Sequence, residues 1–272
     1  MGRSKKRPKR TFNADWREPK LLIIFVHDEN GKMVKQTKAT IDGTFCGPDA
    51  TAELIAMHLH RLGAADALSV TFVADGAKWI WDRIDRIVEL AKLDGVSIHQ
   101  VLDNCHAAHH ISLALASLGL GDEERMPLYR QHRTLLRNGH WRQVVEELSA
   151  LVNDDFSDHS EFATEVAYLR SHGEAGRLSY RSFRGLGIPL GSGAIESSVR
   201  RVINMRMKSN AMFWLSEHAE SMLQLRSQLI SDRWDERLSS SREVERTQAI
   251  GDWHWEPDSM RPKDESSIAT AV

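Results

Sequence analysis

The fold is decided by the stretch Ser69-Val-Thr-Phe-Val-Ala-Asp-Gly76, in which a mostly apolar run ends directly in a carboxylate and a glycine. A short run of this kind, rich in branched and aromatic residues, predicts a buried strand. Because ligands of α/β sheets collect at the carboxyl ends of strands, Asp75 is a candidate catalytic residue. The plainer interpretation is a simple Asp-Gly turn.

Strands and helices alternate on both sides of this strand. The pattern predicts an α/β layer that begins with a hairpin and continues with parallel pairings. The predicted strands cover residues 20–27, 35–41, 69–74 and 96–102, and the predicted helices cover residues 50–62, 77–93 and 107–118.

The strand pattern stops after residue 121, and amphipathic helical spacing takes over to residue 184. Two further helices are predicted at 193–207 and 215–230, and the polar stretch beyond 234 is typical of disorder. The predicted organisation is a basic arm (1–14), a first part of the α/β core (15–120), an all-helical insertion (121–184), C-terminal core helices (185–234) and a disordered tail (235–272).

Composition excludes several classes of protein. The 272 residues carry a net charge of −2, which argues against a uniformly basic nucleic-acid binder and leaves local patches as the means of DNA contact. The longest apolar run, Leu21 to Val26, is too short to span a membrane. Two cysteines cannot form a disulfide framework, so the expected location is the cytoplasm. The basic arm is either a solvated tail or a contact to DNA phosphates.

The predicted strand 96–102 is followed by Asp103, and His106 lies three residues further on. Asp103 is well placed to be the N-cap of the next helix, with His106 in the first turn. His106, His109 and His110 also allow a zinc site, because His106 and His110 lie one helical turn apart. Neither an HExxH motif nor paired cysteines accompany them.

Glu196 lies just inside a helix that follows the Gly191-Ser-Gly193 sequence. Between residues 177 and 208 it is the one acidic residue among seven basic ones. It could form a surface ion pair with Arg200 at the i,i+4 spacing. Alternatively, it is a metal-binding carboxylate in a positive groove, where arginines hold phosphates.

Several linked motifs in this order resemble a group of DDE transposases of bacterial insertion sequences. The resemblance covers residues 15–234. The motifs are Asp15-Trp-Arg-Glu-Pro-Lys-Leu21, Phe72-Val-Ala-Asp-Gly-Ala-Lys-Trp-Ile-Trp81, Leu102-Asp-Asn-Cys-His106, Pro189-Leu-Gly-Ser-Gly-Ala-Ile-Glu-Ser-Ser-Val-Arg-Arg201, Leu225-Arg-Ser227 and Asp232-Arg-Trp234.

The resemblance implies a ribonuclease-H-like α/β core that is interrupted by a helical insertion before the last catalytic helix. It implies that Asp75 and Glu196 are catalytic and bind Mg²⁺ or Mn²⁺, and that Asp103 and His106 support the active site. Transposon ends and target DNA would be the partners of a homodimer. We expect Arg200, Arg201, Arg206 and Lys208 to contact DNA phosphates, and we expect no membrane partner.

One element of the family pattern is not found. The family carries its first catalytic Asp on a first core strand, upstream of the position of Asp15-Trp16-Arg17. Asp15, Asp28 and Asp42 are poor substitutes because they lie in a loop motif, a turn and a strand end. We therefore expect an N-terminally truncated transposase with weak cleavage of its own. A DNA-binding remnant without catalysis and a zinc hydrolase are the alternatives.

Overall fold

The computed structural model of the chain describes residues 16–152, 160–209, 212–235 and 238–239. The chain divides into two units, Met1–Ser231 and Asp232–Val272, and every element named below belongs to the first. The predicted basic arm and most of the predicted disordered tail lie outside the described residues.

The described part is a mixed α/β structure, as the alternation of strands and helices predicts. The strands are β1 (Lys20–Ile24), β2 (Thr40–Thr44), β3 (Ser69–Ala74) and β4 (Ser97–Leu102). The helices are α1 (Pro48–Arg61), α2 (Lys78–Trp81), α3 (Ile84–Leu90), α4 (Asn104–Ser117), α5 (Asp122–Arg137), α6 (Trp141–Ser149), α7 (Ser160–Glu174), α8 (Tyr180–Gly185), α9 (Gly193–Val199) and α10 (Ser216–Ile230).

The four strands form two separate pairs. β1 and β2 are antiparallel, with Leu22 opposite Asp42, and β3 and β4 are parallel, with Phe72 opposite Gln100. The predicted hairpin and the predicted parallel pairing are both confirmed. Gly43 is required in the hairpin, because a Cβ atom there would lie 2.6 Å from the carbonyl oxygen of Lys20.

The outer edges of both pairs are covered by the chain itself. On β2, the Ser231 hydroxyl accepts from the Ile41 amide at 2.8 Å, and a Glu220 carboxylate oxygen accepts from the Phe45 amide at 2.7 Å. On β4, the Leu102 amide donates to the Arg177 carbonyl at 3.1 Å. Among the described residues, β1 pairs only with β2 and β3 pairs only with β4, so the second edge of β1 and the second edge of β3 have no strand partner.

Both strand pairs pack against helices α1 and α3. Side chains of α1 and α3 form a buried cluster, and Ile24 of β1 packs against it together with Val70 and Phe72 of β3. All six residues of β3 are only partly buried, although its apolar sequence predicts a fully buried strand.

Three predicted elements are wrong in detail. The return strand of the hairpin spans Thr40–Thr44 and not 35–41, since the buried Asp42 and Ile41 continue the strand through Gly43. The helix predicted at 77–93 is two helices that meet at Arg83, whose amide donates to the Ile80 carbonyl and whose guanidinium donates to the Trp79 carbonyl at 3.0 Å. The helix predicted at 193–207 is α-helical to Val199 and π-helical over Arg200–Asn204.

The helices α5 to α8 confirm the predicted helical stretch and share a core with the β3–β4 pair. Val101 and Leu102 at the end of β4 and Ile111 of α4 lie in one buried cluster with Val144 of α6 and Phe162 of α7. Side chains from the helical stretch, from α4 and from the end of β4 therefore pack in one cluster.

Candidate functional site

Asp103 joins the carboxyl ends of the strands to α9. Its side chain is 2% exposed, and its Oδ1 accepts from the amides of Cys105 and His106 at 2.7 and 2.8 Å. Its Oδ2 accepts from the amide of Ser192, the residue before α9. Its own amide donates to the Ala74 carbonyl at 2.8 Å. The predicted N-cap is confirmed, and the same residue also fixes the residue before Asp75.

Asp75 follows β3 directly and is exposed. Its Oδ1 accepts from the Ala77 amide at 3.1 Å, which closes an Asx turn at the strand end. The turn predicted as the plainer interpretation therefore exists. It uses a single oxygen in a hydrogen bond within the turn, so the exposed carboxylate stays available as a ligand.

Tyr168 of α7 lies over the turn that holds Asp75. Its hydroxyl donates to the Asp75 carbonyl at 3.0 Å. Burial raises the pKa of the Tyr168 phenol, and the negative charge of Asp75 raises it further. The phenol is therefore a neutral hydrogen-bond donor at any physiological pH, and it fixes the backbone from which the Asp75 side chain projects.

The contact between Tyr168 and Gly76 predicts a large loss of stability for Gly76→Ala. Gly76 has φ +91°, and a Cβ atom there would lie 1.9 Å from the Tyr168 hydroxyl oxygen. We expect the free energy of unfolding to fall by about 2–4 kcal/mol, from backbone strain and steric overlap together. Chemical denaturation of the variant measures the loss.

Two variants separate the overlap from the strain. Gly95 has φ +83° and open space around its Cβ position. Gly95→Ala should therefore lower the free energy of unfolding through backbone strain alone, by about 1–2 kcal/mol. In a Tyr168→Phe background, Gly76→Ala should lower the free energy of unfolding by less than it does in the native chain. Equal costs in both backgrounds would contradict the assigned contact.

A buried histidine, His172, packs against Tyr168. The His172 ring lies 4.5 Å from the Tyr168 ring and 6.0 Å from the Trp81 ring. Its Nδ1 is 3.4 Å from the Arg177 guanidinium, which lies over Trp81 at 4.4 Å. The His110 ring also stacks on Tyr168, at 3.6 Å, and its Nδ1 pairs with the Glu165 carboxylate. This stack ties α7 to α4 beside Asp75.

The environment of His172 predicts a loss of stability in acid. Burial, and then the charges of Arg177 and His110, lower the pKa of His172 from 6.5 to about 4. Between these values the unfolded chain binds a proton that the folded chain does not, so stability falls as the pH drops from 6.5 to 4. We expect a loss of about 2 kcal/mol over this window.

Denaturation curves at several pH values measure this dependence. His172→Gln should remove that part of the pH slope, and the matched change His60→Gln, at an exposed position, should leave the slope unchanged. If the unfolding free energy of the His172 variant depended on pH as it does in the native protein, another group would be responsible for that dependence.

Glu196 is exposed in the first turn of α9, and α9 packs against β1. The alternative of a surface ion pair finds no support, because no salt bridge joins Glu196 to Arg200 within the described ranges. Glu196 also contributes, after burial and Asp103, to the raised pKa of the Cys105 thiol in α4. Glu196 thus acts electrostatically on the start of α4, where Asp103 also lies.

Asp75 and Glu196 offer the oxygen donors that Mg²⁺ and Mn²⁺ take. Mg²⁺ in phosphate-processing sites is commonly held by one or two carboxylates together with substrate phosphates. In the part of the chain that the structure describes, no group of three His, Cys, Asp or Glu side chains is positioned to hold a metal. A cation held by Asp75 and Glu196 would therefore need further ligands, such as substrate phosphate.

The histidines of α4 do not form the zinc site that sequence allows. His110 is engaged with Glu165, and His109 is exposed, with its ring 6.3 Å from that of His110. His106, predicted as active-site support, is half-buried in the first turn of α4, and its amide donates to Asp103. The absence of a three-ligand group in the described ranges applies to these histidines as well.

Basic side chains follow α9 in sequence and also lie on α5. The predicted DNA contacts Arg201, Arg206 and Lys208 are exposed, as is Arg200. Sequence reasoning missed Arg133 and Arg137 of α5, which line a cavity of about 100 Å³ with Cys105 and Tyr180. The i,i+4 spacing of Arg133 and Arg137 on a predicted helix is the sequence feature that could have indicated them.

Sequence reasoning also missed Arg226 and Tyr168. Arg226 of α10 donates to the Arg201 carbonyl, and Tyr168 reaches Asp75 across 93 positions of sequence. Neither has a local motif, so only the tertiary structure reveals the role.

The chain matches no known family model, and comparisons with curated proteins and with solved structures found no match either. Within the described residues, no helix combines the length and the apolar character that crossing a membrane requires.

Proposed function

We propose that the chain is a DDE-type transposase that cleaves and joins DNA strands during transposition of a bacterial insertion sequence, as a homodimer on DNA in the cytoplasm. The observation that carries the proposal is the position of Asp103. This buried carboxylate holds the Ser192 amide before the Glu196 helix, and its amide holds Ala74 before Asp75. The two segments that carry these exposed carboxylates are thereby bonded to one residue.

Each part of the site has a role in this chemistry. Asp75 and Glu196 would hold a divalent cation, which when bound stabilises charge on the attacking and leaving oxygens of a phosphodiester. Tyr168 and Asp103 position the two carboxylates. Basic residues near α9 and α5 hold the DNA backbone through charge-assisted hydrogen bonds.

We infer that a further core strand joins the two separate strand pairs of the described residues. By the resemblance, the family's remaining catalytic Asp lies on a core strand. Such a strand would pair with the free edges of β1 and β3, next to the α1 and α3 cluster that both pairs contact. We propose that full cleavage activity requires this additional strand, which is the family's source of a third carboxylate.

A strand-transfer assay tests the proposal. Duplex oligonucleotides that carry the ends of the encoding element are incubated with the full chain, target DNA and Mg²⁺ or Mn²⁺. We expect slow, cation-dependent release of 3′-hydroxyl ends and their joining to target DNA, with no reaction in a chelator. Robust activity would contradict the need for an additional strand.

One observation favours a second candidate, a DNA-binding protein without catalysis. Only two candidate metal carboxylates come from the described residues, and no three-ligand group exists there. Binding of the DNA ends without any cation-dependent cleavage would select this candidate. Absence of both binding and cleavage would reject the transposase proposal.

A further inference from the structure

A cavity of about 100 Å³ lies between the first turns of α4 and the second half of α5. Part of its lining comes from the buried residues Ala108, Leu136 and Tyr180. Another part comes from the exposed residues Cys105, Arg133 and Arg137. The described lining contains no acidic side chain. The cavity therefore reaches from the core to the surface and presents two cations to a ligand.

Both arginines direct their charge towards α4. They lie four residues apart on α5, so their side chains share one face of that helix. Burial, and then the charges of Asp103 and Glu196, raise the pKa of the Cys105 thiol, whereas the charges of Arg133 and Arg137 lower it. The two guanidinium groups are therefore close enough to act on a thiol of the neighbouring helix.

Neither guanidinium has a protein anion as its partner. Within the ranges that the structure describes, no salt bridge includes Arg133 or Arg137. The oxygens of Asp103 accept from three backbone amides, and Glu196 is exposed on α9 and does not line the cavity. Two guanidinium groups on one face repel each other unless an anion joins them, and their planar N–H donors match the oxygens of a phosphate.

The end of α5 does not need these cations. A basic side chain in the last turn of a helix can stabilise carbonyls that lack donors. The carbonyls of residues 134 to 136 already accept from backbone amides that follow the helix, and the Arg137 carbonyl accepts from the Arg184 guanidinium at 2.9 Å. The side chains of Arg133 and Arg137 are thus left for a ligand.

The size of the cavity favours a single phosphate group. A volume of 100 Å³ is the space that about three water molecules occupy in the liquid, which suits a tetrahedral oxyanion and excludes the sugar and base of a nucleotide. An internal phosphodiester continues into a sugar on both sides, whereas a terminal phosphate continues on one side. A strand end can therefore place its phosphate inside the cavity and leave the rest of the strand outside.

We propose that this cavity binds the terminal 5′-phosphate of a DNA strand, with Arg133 and Arg137 as its charged ligands. The Asn104 amide and the Tyr129 hydroxyl, which also line the cavity, add neutral donors. The inference rests on the proposed function for the source of such ends. When water attacks the phosphorus of a phosphodiester, the bond to the 3′ oxygen breaks, this oxygen leaves as a hydroxyl with a proton, and the phosphate stays on the 5′ end of the next nucleotide.

Fluorescence anisotropy with the full chain tests the cavity. The probe is a DNA hairpin with one 5′ end and a dye in its loop, prepared with a 5′-phosphate or with a 5′-hydroxyl. The native chain should bind the phosphorylated hairpin about 5- to 30-fold more tightly, as expected for charge-assisted hydrogen bonds from exposed arginines. Arg133→Gln and Arg137→Gln should each reduce this preference to within about twofold.

Two further variants identify the chemistry. Arg133→Lys keeps the charge and loses the planar fork, so it should keep only part of the preference. Arg130→Gln removes an exposed cation of the same helix that does not line the cavity, and it should keep the native preference whatever its effect on overall affinity. All these positions are exposed, so thermal denaturation should show native stability for each variant.

The Cys105 thiol gives a readout inside the cavity. Cys105 and Cys46 are both exposed. In a Cys46→Ser background, saturation with the phosphorylated hairpin should slow alkylation of Cys105 by iodoacetamide about fivefold or more, because the phosphate covers the thiol and its charge opposes the thiolate. The hydroxyl hairpin at equal occupancy should protect less. In a Cys105→Ser background, neither hairpin should protect Cys46.

Several outcomes would overturn the inference. Equal affinities of the native chain for the two hairpins, or a native preference in both glutamine variants, would reject the cavity as a phosphate site. Protection of Cys105 by inorganic phosphate but not by the phosphorylated hairpin would assign the cavity to free phosphate, and tighter binding of a hairpin with a 3′-phosphate would reverse the assigned end. Strand transfer without a phosphate preference would reject this inference alone, and a phosphate preference without cleavage would reject the proposed catalysis alone.

Discussion

Asp103→Ala is expected to lower the free energy of unfolding by about 3–5 kcal/mol, although no substrate contact is assigned to this residue. The change removes an N-cap, which costs up to about 2 kcal/mol. It also leaves the Ser192 amide without its charged partner, a bond worth about 1.5–3 kcal/mol. Because Asp103 is 2% exposed, water cannot readily replace the lost acceptor.

A substitution with different chemistry separates the two contributions. Asn is also a good N-cap, so Asp103→Asn should keep the bonds to Cys105 and His106, while its amide group opposes the Ser192 amide donor to donor. We expect a cost of about 1.5–3 kcal/mol, with faster hydrogen exchange at Ser192. Asp94→Ala, at an exposed position, should change stability by less than about 0.5 kcal/mol. Equal stability of Asp103→Ala and native protein would contradict the assigned role.

Local patterns predicted most of the α/β part of the fold. The strand 69–74 and the parallel partner that ends at Leu102 follow from apolar runs that stop at polar turn residues. The Asp103 cap follows from an Asp placed before a helical pattern. These predictions succeed because each depends on residues within a few positions of one another.

The errors arise where distant groups decide the local structure. Strand β2 is displaced along the chain because Ser231 bonds the Ile41 amide and His58 bonds Asp42, both far away in sequence. The break between α2 and α3 involves Arg83, which also pairs with Asp49 of α1. No periodicity over a short window contains this information.

The same distinction holds for the candidate site. Asp75 and Glu196 stand out in sequence because each has an unusual local setting, a strand end and a basic stretch. The residues that fix or extend their surroundings, Tyr168 and Arg226, lie on helices that look ordinary in sequence. Their importance comes from two contacts, to the Asp75 carbonyl and to the Arg201 carbonyl.

Asp75→Asn and Glu196→Gln are each expected to slow DNA-strand cleavage by about 10²- to 10³-fold, the cost of losing one key electrostatic group. Both side chains are exposed, so each variant should keep native stability within about 0.5 kcal/mol. The measurement is the single-turnover rate of 3′-hydroxyl release from an end duplex in Mg²⁺. Asp94→Asn is the matched control and should retain the native rate.

The double variant gives the sharper result. If the two carboxylates hold one cation, the loss of either already removes the site, so Asp75→Asn combined with Glu196→Gln should be no slower than the slower single variant. Each single variant should also weaken Mn²⁺ binding in the presence of end DNA, measured by paramagnetic resonance. Multiplied rate losses with unchanged Mn²⁺ binding would mean that the carboxylates act independently. In that case the anchoring of both segments by Asp103 would serve stability alone, and the proposed cation site would be wrong.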